Sequence, residues 1–152
     1  MDIYLIYAST SGNVEIVMES IGNTLLSRGF KTTLCRAEET SIEVVGEHHK
    51  FVLGTSTWEH GRLNPFFAHL YEQLKTLDCQ GKQAAFVGLG DRRYEPVLFC
   101  EGIEKIRRLW LQEGGYEIST VLKIQGEPYA QIESVVKPWT GVVAETFNSY
   151  HA

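Results

Sequence analysis

Ser9-Thr10-Ser11-Gly12-Asn13-Val14 decides the fold through what stands on each side of it. Before it lies the apolar run Ile3-Tyr4-Leu5-Ile6-Tyr7, which lacks clean alternation and so suits a strand buried on both faces. After it a helical spacing begins near Val14 and continues through Ile16, Val17, Ile21, Leu25 and Leu26 until Arg28-Gly29 stops it. A strand that turns through hydroxyl residues and a glycine into a helix offers backbone N–H groups and hydroxyls to an anion. The helix start adds partial positive charge. No Lys or Arg lies in the loop, so the residues suit a phosphate monoester held by neutral donors. An ordinary strand-to-helix turn, with Asn13 near the cap position, is the plainer reading of the same residues.

Working outward, the same alternation recurs along the chain. Residues 31–36, 51–55, 83–89 and 118–124 read as further strands, the third and fourth almost wholly apolar. Residues 41–45 read as a weak helical turn or loop. Asn64-Pro65 caps and opens a helix with Phe66, Phe67, Leu70, Leu74 and Leu77 on its apolar face. A later helix carries Ile103, Ile106, Leu109 and Trp110, and Pro138 should break or restart the C-terminal helix near Lys137. Buried strands joined by crossover helices predict a parallel sheet with helices on both faces. Ligands of such sheets sit outside the carboxyl ends of the strands, at the switch point. Here those ends lead into residues 9–14, 56–62 and 88–95, and the last two carry Trp58 and Tyr94. Two aromatic rings on converging loops suit a flat aromatic ligand with a phosphate at one end.

Composition narrows the function class. The chain has 152 residues, 43% apolar and 22% charged, as expected of one globular domain spanning residues 1–152. A net charge of −5 argues against nucleic acid as a partner. The start Met1-Asp2-Ile3 enters a strand at once, without a basic region or long apolar segment, so the cytoplasm is the expected compartment and no membrane is implied. The odd set Cys35, Cys79 and Cys100, without a Cys-x-x-Cys, fits reduced thiols. His48-His49 lack metal-ligand spacing to other His or Cys.

Over essentially its whole length the chain resembles the flavodoxins, of the short-chain type. Ser9 to Asn13 resemble the family's hydroxyl-rich phosphate loop. Ser56-Thr57-Trp58 followed by Gly61 resembles the second loop, whose Trp packs on one face of the FMN ring. Gly88-Leu89-Gly90-Asp91 with Tyr94-Glu95 and Cys100 resembles the third, whose Tyr covers the other face. Lys123-Ile124-Gln125-Gly126-Glu127-Pro128 resembles the end of the fifth strand. The resemblance implies a three-layer doubly wound α/β sheet of five parallel strands in the order 2-1-3-4-5. It implies a monomeric one-electron carrier with non-covalent FMN, working between a reductase and an acceptor enzyme, with no catalytic acid or nucleophile.

Departures from the family pattern matter. Val14 stands where relatives usually have Thr; one lost hydrogen bond to a charged group is worth roughly 1.5–3 kcal/mol, enough to weaken FMN binding but not abolish it. Relatives often place Gly directly after the Trp, whereas Glu59-His60 intervene here before Gly61. By the resemblance the Glu59–His60 peptide is the one that accepts a hydrogen bond from the reduced ring, and side chains at both positions make positive φ costlier. Arg62, Arg92 and Arg93 balance Glu59, Asp91 and Glu95 around the site, which predicts a hydroquinone potential less negative than the family norm. His60 would make the potential pH-dependent if it lies near the ring. Cys100 reads as a buried structural thiol.

Two other classes remain: a small FMN-dependent reductase acting on NAD(P)H and a quinone-type acceptor, and an interaction protein of this fold without flavin. A phosphoacceptor receiver would need carboxylates where Ala8-Ser9 and Gly54-Thr55 stand. A dinucleotide fingerprint would need a third Gly at Arg93.

Overall fold

The opening apolar run forms β1 (Asp2–Ala8), the second strand of the sheet, and its neighbours explain why both its faces are apolar. A computed structural model describes residues 2–93 and 98–149, excluding the side chains of Glu59 and Ser149. On one side β1 pairs in parallel with β2 (Lys31–Arg36), Ile3 opposite Thr32. On the other it pairs in parallel with β3 (Lys50–Trp58), Leu5 opposite Val52. Next comes β5 (Gln83–Gly90), Leu53 opposite Phe86, after the two-residue β4 (Arg62–Leu63) that folds back antiparallel on the end of β3. The expected order 2-1-3-4-5 is therefore present, with β5 as its fourth strand.

The fifth position corrects the expected continuous strand over residues 118–124. It is occupied by two pieces, β6 (Tyr116–Glu117) and β7 (Leu122–Gln125), both parallel to β5. Ala84 faces Glu117 and Val87 faces Leu122, so residues 118–121 stand against only residues 85–86. The Ile118 N–H still reaches the Ala84 carbonyl at 3.1 Å, and within the interruption the Thr120 carbonyl accepts from the Trp139 indole N–H at 2.8 Å.

Side chains alternate across this sheet into two cores. Leu5, Val52 and Val87 point to one face, where they meet Val17, Met18, Ile21 and Leu25 of α1 (Asn13–Ser27) and Val143 and Phe147 of α5 (Lys137–Ser149). Ile6, Leu53 and Phe86 point to the other, against Phe67, Leu70 and Leu74 of α3 (Pro65–Leu74) and Ile103, Ile106 and Trp110 of α4 (Glu101–Gln112). The segment 41–45, expected as a weak helical turn or loop, is helical from Ile42 onward, in the short α2 (Ile42–Glu47) with Ser41 at its N-cap. The C-terminal helix restarts at Lys137, one residue before Pro138, after a π-helical turn at Ile132–Val136. Three layers result, and the loops at the carboxyl ends of β1, β3, β5 and β7 share one edge.

Candidate functional site

The first loop is built by its glycine. Gly12 adopts φ 89°, a left-handed value that costs glycine nothing, and its N–H donates to the Ser9 hydroxyl oxygen at 3.0 Å. The N-cap of α1 is therefore Gly12, not Asn13, which is already the first helical residue. The first helical hydrogen bond runs from the Ile16 N–H to the Gly12 carbonyl at 3.1 Å, so the N–H groups of residues 13–15 precede it at the positive helix end. Thr10 and Ser11 expose their hydroxyls beside them.

Glu15 is the acid in the first turn of α1 itself. Its carboxylate accepts from the Tyr7 hydroxyl at 2.6 Å and from the Arg36 guanidinium at 2.8 Å. Burial and that hydrogen bond push the Tyr7 phenol well above its usual range. Neutral donors, a helix start and a neutralised acid form a donor set that fits a phosphate monoester.

The second loop is a hairpin tip. Trp58 pairs with Arg62 and Thr57 with Leu63, leaving Glu59–Gly61 to reverse the chain. His60 takes φ 57° and Gly61 φ 72°. The left-handed conformation at His60 costs roughly 1–2 kcal/mol, the strain expected where a side chain replaces glycine. Gly61 has a second reason to be glycine, since a Cβ there would lie 3.0 Å from the Leu98 side chain. Trp58 is 38% exposed, unusual for so large a ring and suitable for stacking. Behind the tip, buried Asn64 works twice: its Oδ1 accepts from the Phe66 N–H at 2.9 Å to cap α3, and its Nδ2 donates to the Ser56 hydroxyl at 2.8 Å. Sequence pattern finds the cap but not the hold on Ser56. Gly102 lets α4 approach this loop, for its N–H donates to the Thr57 hydroxyl at 3.0 Å and a Cβ would sit 2.9 Å from the Ser56 carbonyl.

The third loop leaves β5 at Gly90 and meets the end of β7. The Gly126 N–H donates to the Gly90 carbonyl at 2.8 Å. Asp91 receives the Arg93 guanidinium at 2.6 Å and also the Arg93 N–H at 2.9 Å, which together hold its carboxyl below the usual carboxylate range. The Arg92 guanidinium lies 4.2 Å from the centre of the Phe99 ring, and Arg62 is exposed on β4. Cys100 is fully buried, and burial pushes its thiol up to about 12. Tyr94 and Glu95 lie outside the described residues, as does the side chain of Glu59.

These loops enclose a cleft of 270 Å³. Ser11, Asn13 and Val14 line it with Ser56, Thr57, Leu89, Gly90 and Asp91, so three of the expected segments come together. Arg93, Gly126 and Glu127 complete the wall. Ser9, Thr10, Trp58, His60, Gly61 and Cys100 do not line this cleft, although they belong to the same loops or, for Cys100, cap the adjoining α4. Val14 is at once cleft wall and core, only 1% exposed. Among the described residues no group of three or more His, Cys, Asp or Glu side chains could hold a metal ion. No helix among them is long and apolar enough to cross a membrane.

Comparison with known proteins gives one consistent result. The family profile described as flavodoxin matches residues 5–139. The flavodoxin of Nitratidesulfovibrio vulgaris is 30% identical over 145 residues, covering 93% of this chain and 96% of that protein. The flavodoxin of Maridesulfovibrio salexigens is 31% identical over 127 residues, covering 82% and 86%. Oxidised flavodoxin 2 from Bacillus cereus superposes with a TM-score of 0.86 at 27% identity, covering 99% of this chain and all of the other.

Proposed function

The chain belongs to the flavodoxin family, and on that premise we propose that it carries single electrons on non-covalently bound FMN between a reductase and an acceptor enzyme. The observation that carries the reading is the shared cleft, where a hydroxyl-rich turn at a helix start meets the ends of β3 and β5 and the residues that follow β5 and β7. FMN supplies reversible uptake and release of electrons when bound. The protein supplies position and field. Ser9 to Asn13, with Val14 beside them, are assigned to the phosphate. Trp58 and Tyr94 are assigned to the two faces of the ring. Ser56, Thr57, Leu89, Gly90 and Asp91 shape its edge, with Cys100 packed behind. The Glu59–His60 peptide, already turned by the left-handed His60, is the backbone acceptor at that edge, and Gly61 closes the tip.

No acid, base or nucleophile is assigned, so the protein works as a carrier and not as an enzyme. We assign the whole chain to one monomeric domain in the cytoplasm, with proteins as its partners. A net charge of −5 on 152 residues supports only weak long-range steering toward them.

Stepwise anaerobic reduction of the purified protein, followed by its visible spectrum, tests the reading. The expected result is a set of flavin bands that bleach in two separated one-electron steps. Bleaching in a single two-electron step, with turnover of NAD(P)H by the isolated protein, would replace the carrier with a small reductase. A protein that stays colourless after added FMN would leave an interaction protein of the same fold.

A further inference from the structure

The end of β7 contributes a side chain whose two ends are both engaged by the loop that follows β5. The Gln125 amide oxygen accepts from the Arg92 backbone N–H at 2.8 Å, and its amide nitrogen donates to Asp91 Oδ1 at 2.9 Å. The Gln125 carbonyl in turn accepts from the Gln131 side chain at 3.1 Å, which ties its backbone to the next segment. Asp91 and Arg93 from the one segment and Gly126 and Glu127 from the other are neighbouring parts of the cleft wall. Gln125 therefore spans two walls of the site without lining the cleft itself.

We propose that Gln125 is a positioning residue for flavin binding: it fastens the Asp91–Arg93 segment to the end of β7 and so fixes the shape of the cleft wall. The assignment rests on the FMN reading given above. The primary amide satisfies both partners at neutral pH, at two atoms of one planar group. It must accept at one end, because the Arg92 N–H is a donor, and donate at the other, because Asp91 is ionised. An ionised carboxylate at position 125 would still accept from Arg92 but would repel Asp91. An apolar side chain would do neither. The backbone ladder ties β5 to the end of β7 only as far as Gly90, through the Gly126 N–H, and Gln125 carries the connection on to Asp91 and Arg92.

The test compares wild type, Gln125→Ala and the near-isosteric Gln125→Glu, by FMN release from the loaded protein and by amide hydrogen exchange in the apoprotein. Gln125→Ala is expected to release FMN at least about tenfold faster and to lose protection at the Arg92 N–H by a similar factor, through the loss of one charge-assisted hydrogen bond and one from a backbone N–H to a side chain. Gln125→Glu is expected to keep the Arg92 protection. Its release rate relative to wild type should rise with pH, because only the protonated acid can donate to Asp91. A purely structural side chain would not give that pH profile. If wild type binds FMN and Gln125→Ala matches it in release rate and in Arg92 exchange, this proposal fails alone. If wild type takes up no FMN, the carrier reading fails and this proposal with it.

Discussion

The guanidinium of Arg93 is already engaged by Asp91 at 2.6 Å, whereas that of Arg92 lies over the Phe99 ring. The arginines that look equivalent in sequence are therefore unequal. Arg93→Ser leaves Asp91 as an uncompensated anion on the cleft wall, so the anionic reduced flavin becomes harder to form. The hydroquinone potential should fall, by roughly 60 mV for each 1.4 kcal/mol of lost stabilisation. Arg92→Ser should lower it less. Potentiometric titration of both variants checks this, and unchanged potentials would mean that solvent screens both charges. The buried thiols give a second expectation. Burial pushes Cys79 up to about 11 and Cys100 up to about 12, from an ordinary value of 9.0. Above that ordinary value the unfolded chain releases both protons while the folded chain keeps them, so stability must fall as pH rises past it. Urea unfolding of wild type against a Cys79→Ala, Cys100→Ala variant, from neutral pH upward, should show a steeper alkaline decline in wild type.

At the scale of elements, Asn64 joins a helix start to a loop. Asn64→Ala should destabilise by about 2 kcal/mol, from a lost cap and a stranded Ser56 hydroxyl. Asn64→Asp should recover the cap and can accept from the Ser56 hydroxyl, but it buries a charge and so should recover only part of the stability. Denaturant midpoints separate the two. The elements themselves were legible because apolar runs flanked by Gly, Asn and Pro report local burial and local turns, as at Ile3 to Tyr7 and at Asn64-Pro65. The interruption of the fifth strand was not legible. It depends on the Trp139 indole, which reaches the Thr120 carbonyl from a different element 19 residues further on. Gln125 was visible as part of a familiar strand end, but its role depends on facing Asp91 and Arg92, 34 and 33 residues earlier. Local pattern carries no such pairing. The cap of α1 shifted to Gly12 for a similar reason: the φ of 89° is a property of the closed loop and not of the residue type alone.

For the molecule as a whole, the ligand should act as a structural member of the edge it occupies. Four strand-end loops lean on one cleft, and binding the native state alone stabilises by about 2.7 kcal/mol at a hundredfold excess over Kd. Removing FMN should therefore lower the melting temperature, with the loss of amide protection concentrated in residues 9–14, 56–62 and 90–93 and not in the two cores. Equal protection with and without FMN would show that the loops are preformed. The sheet's other exposed features have their own consequence. An uninterrupted outer strand offers a ready template for strands of other molecules. Here a visiting strand would find the backbone groups of two residues at β6, then the irregular stretch of residues 118–121, then four more at β7. That broken row is a poor seed for a growing ladder, so the interruption held by Trp139 blunts this edge of the sheet and leaves the uninterrupted β2 as the edge where a visiting strand could pair.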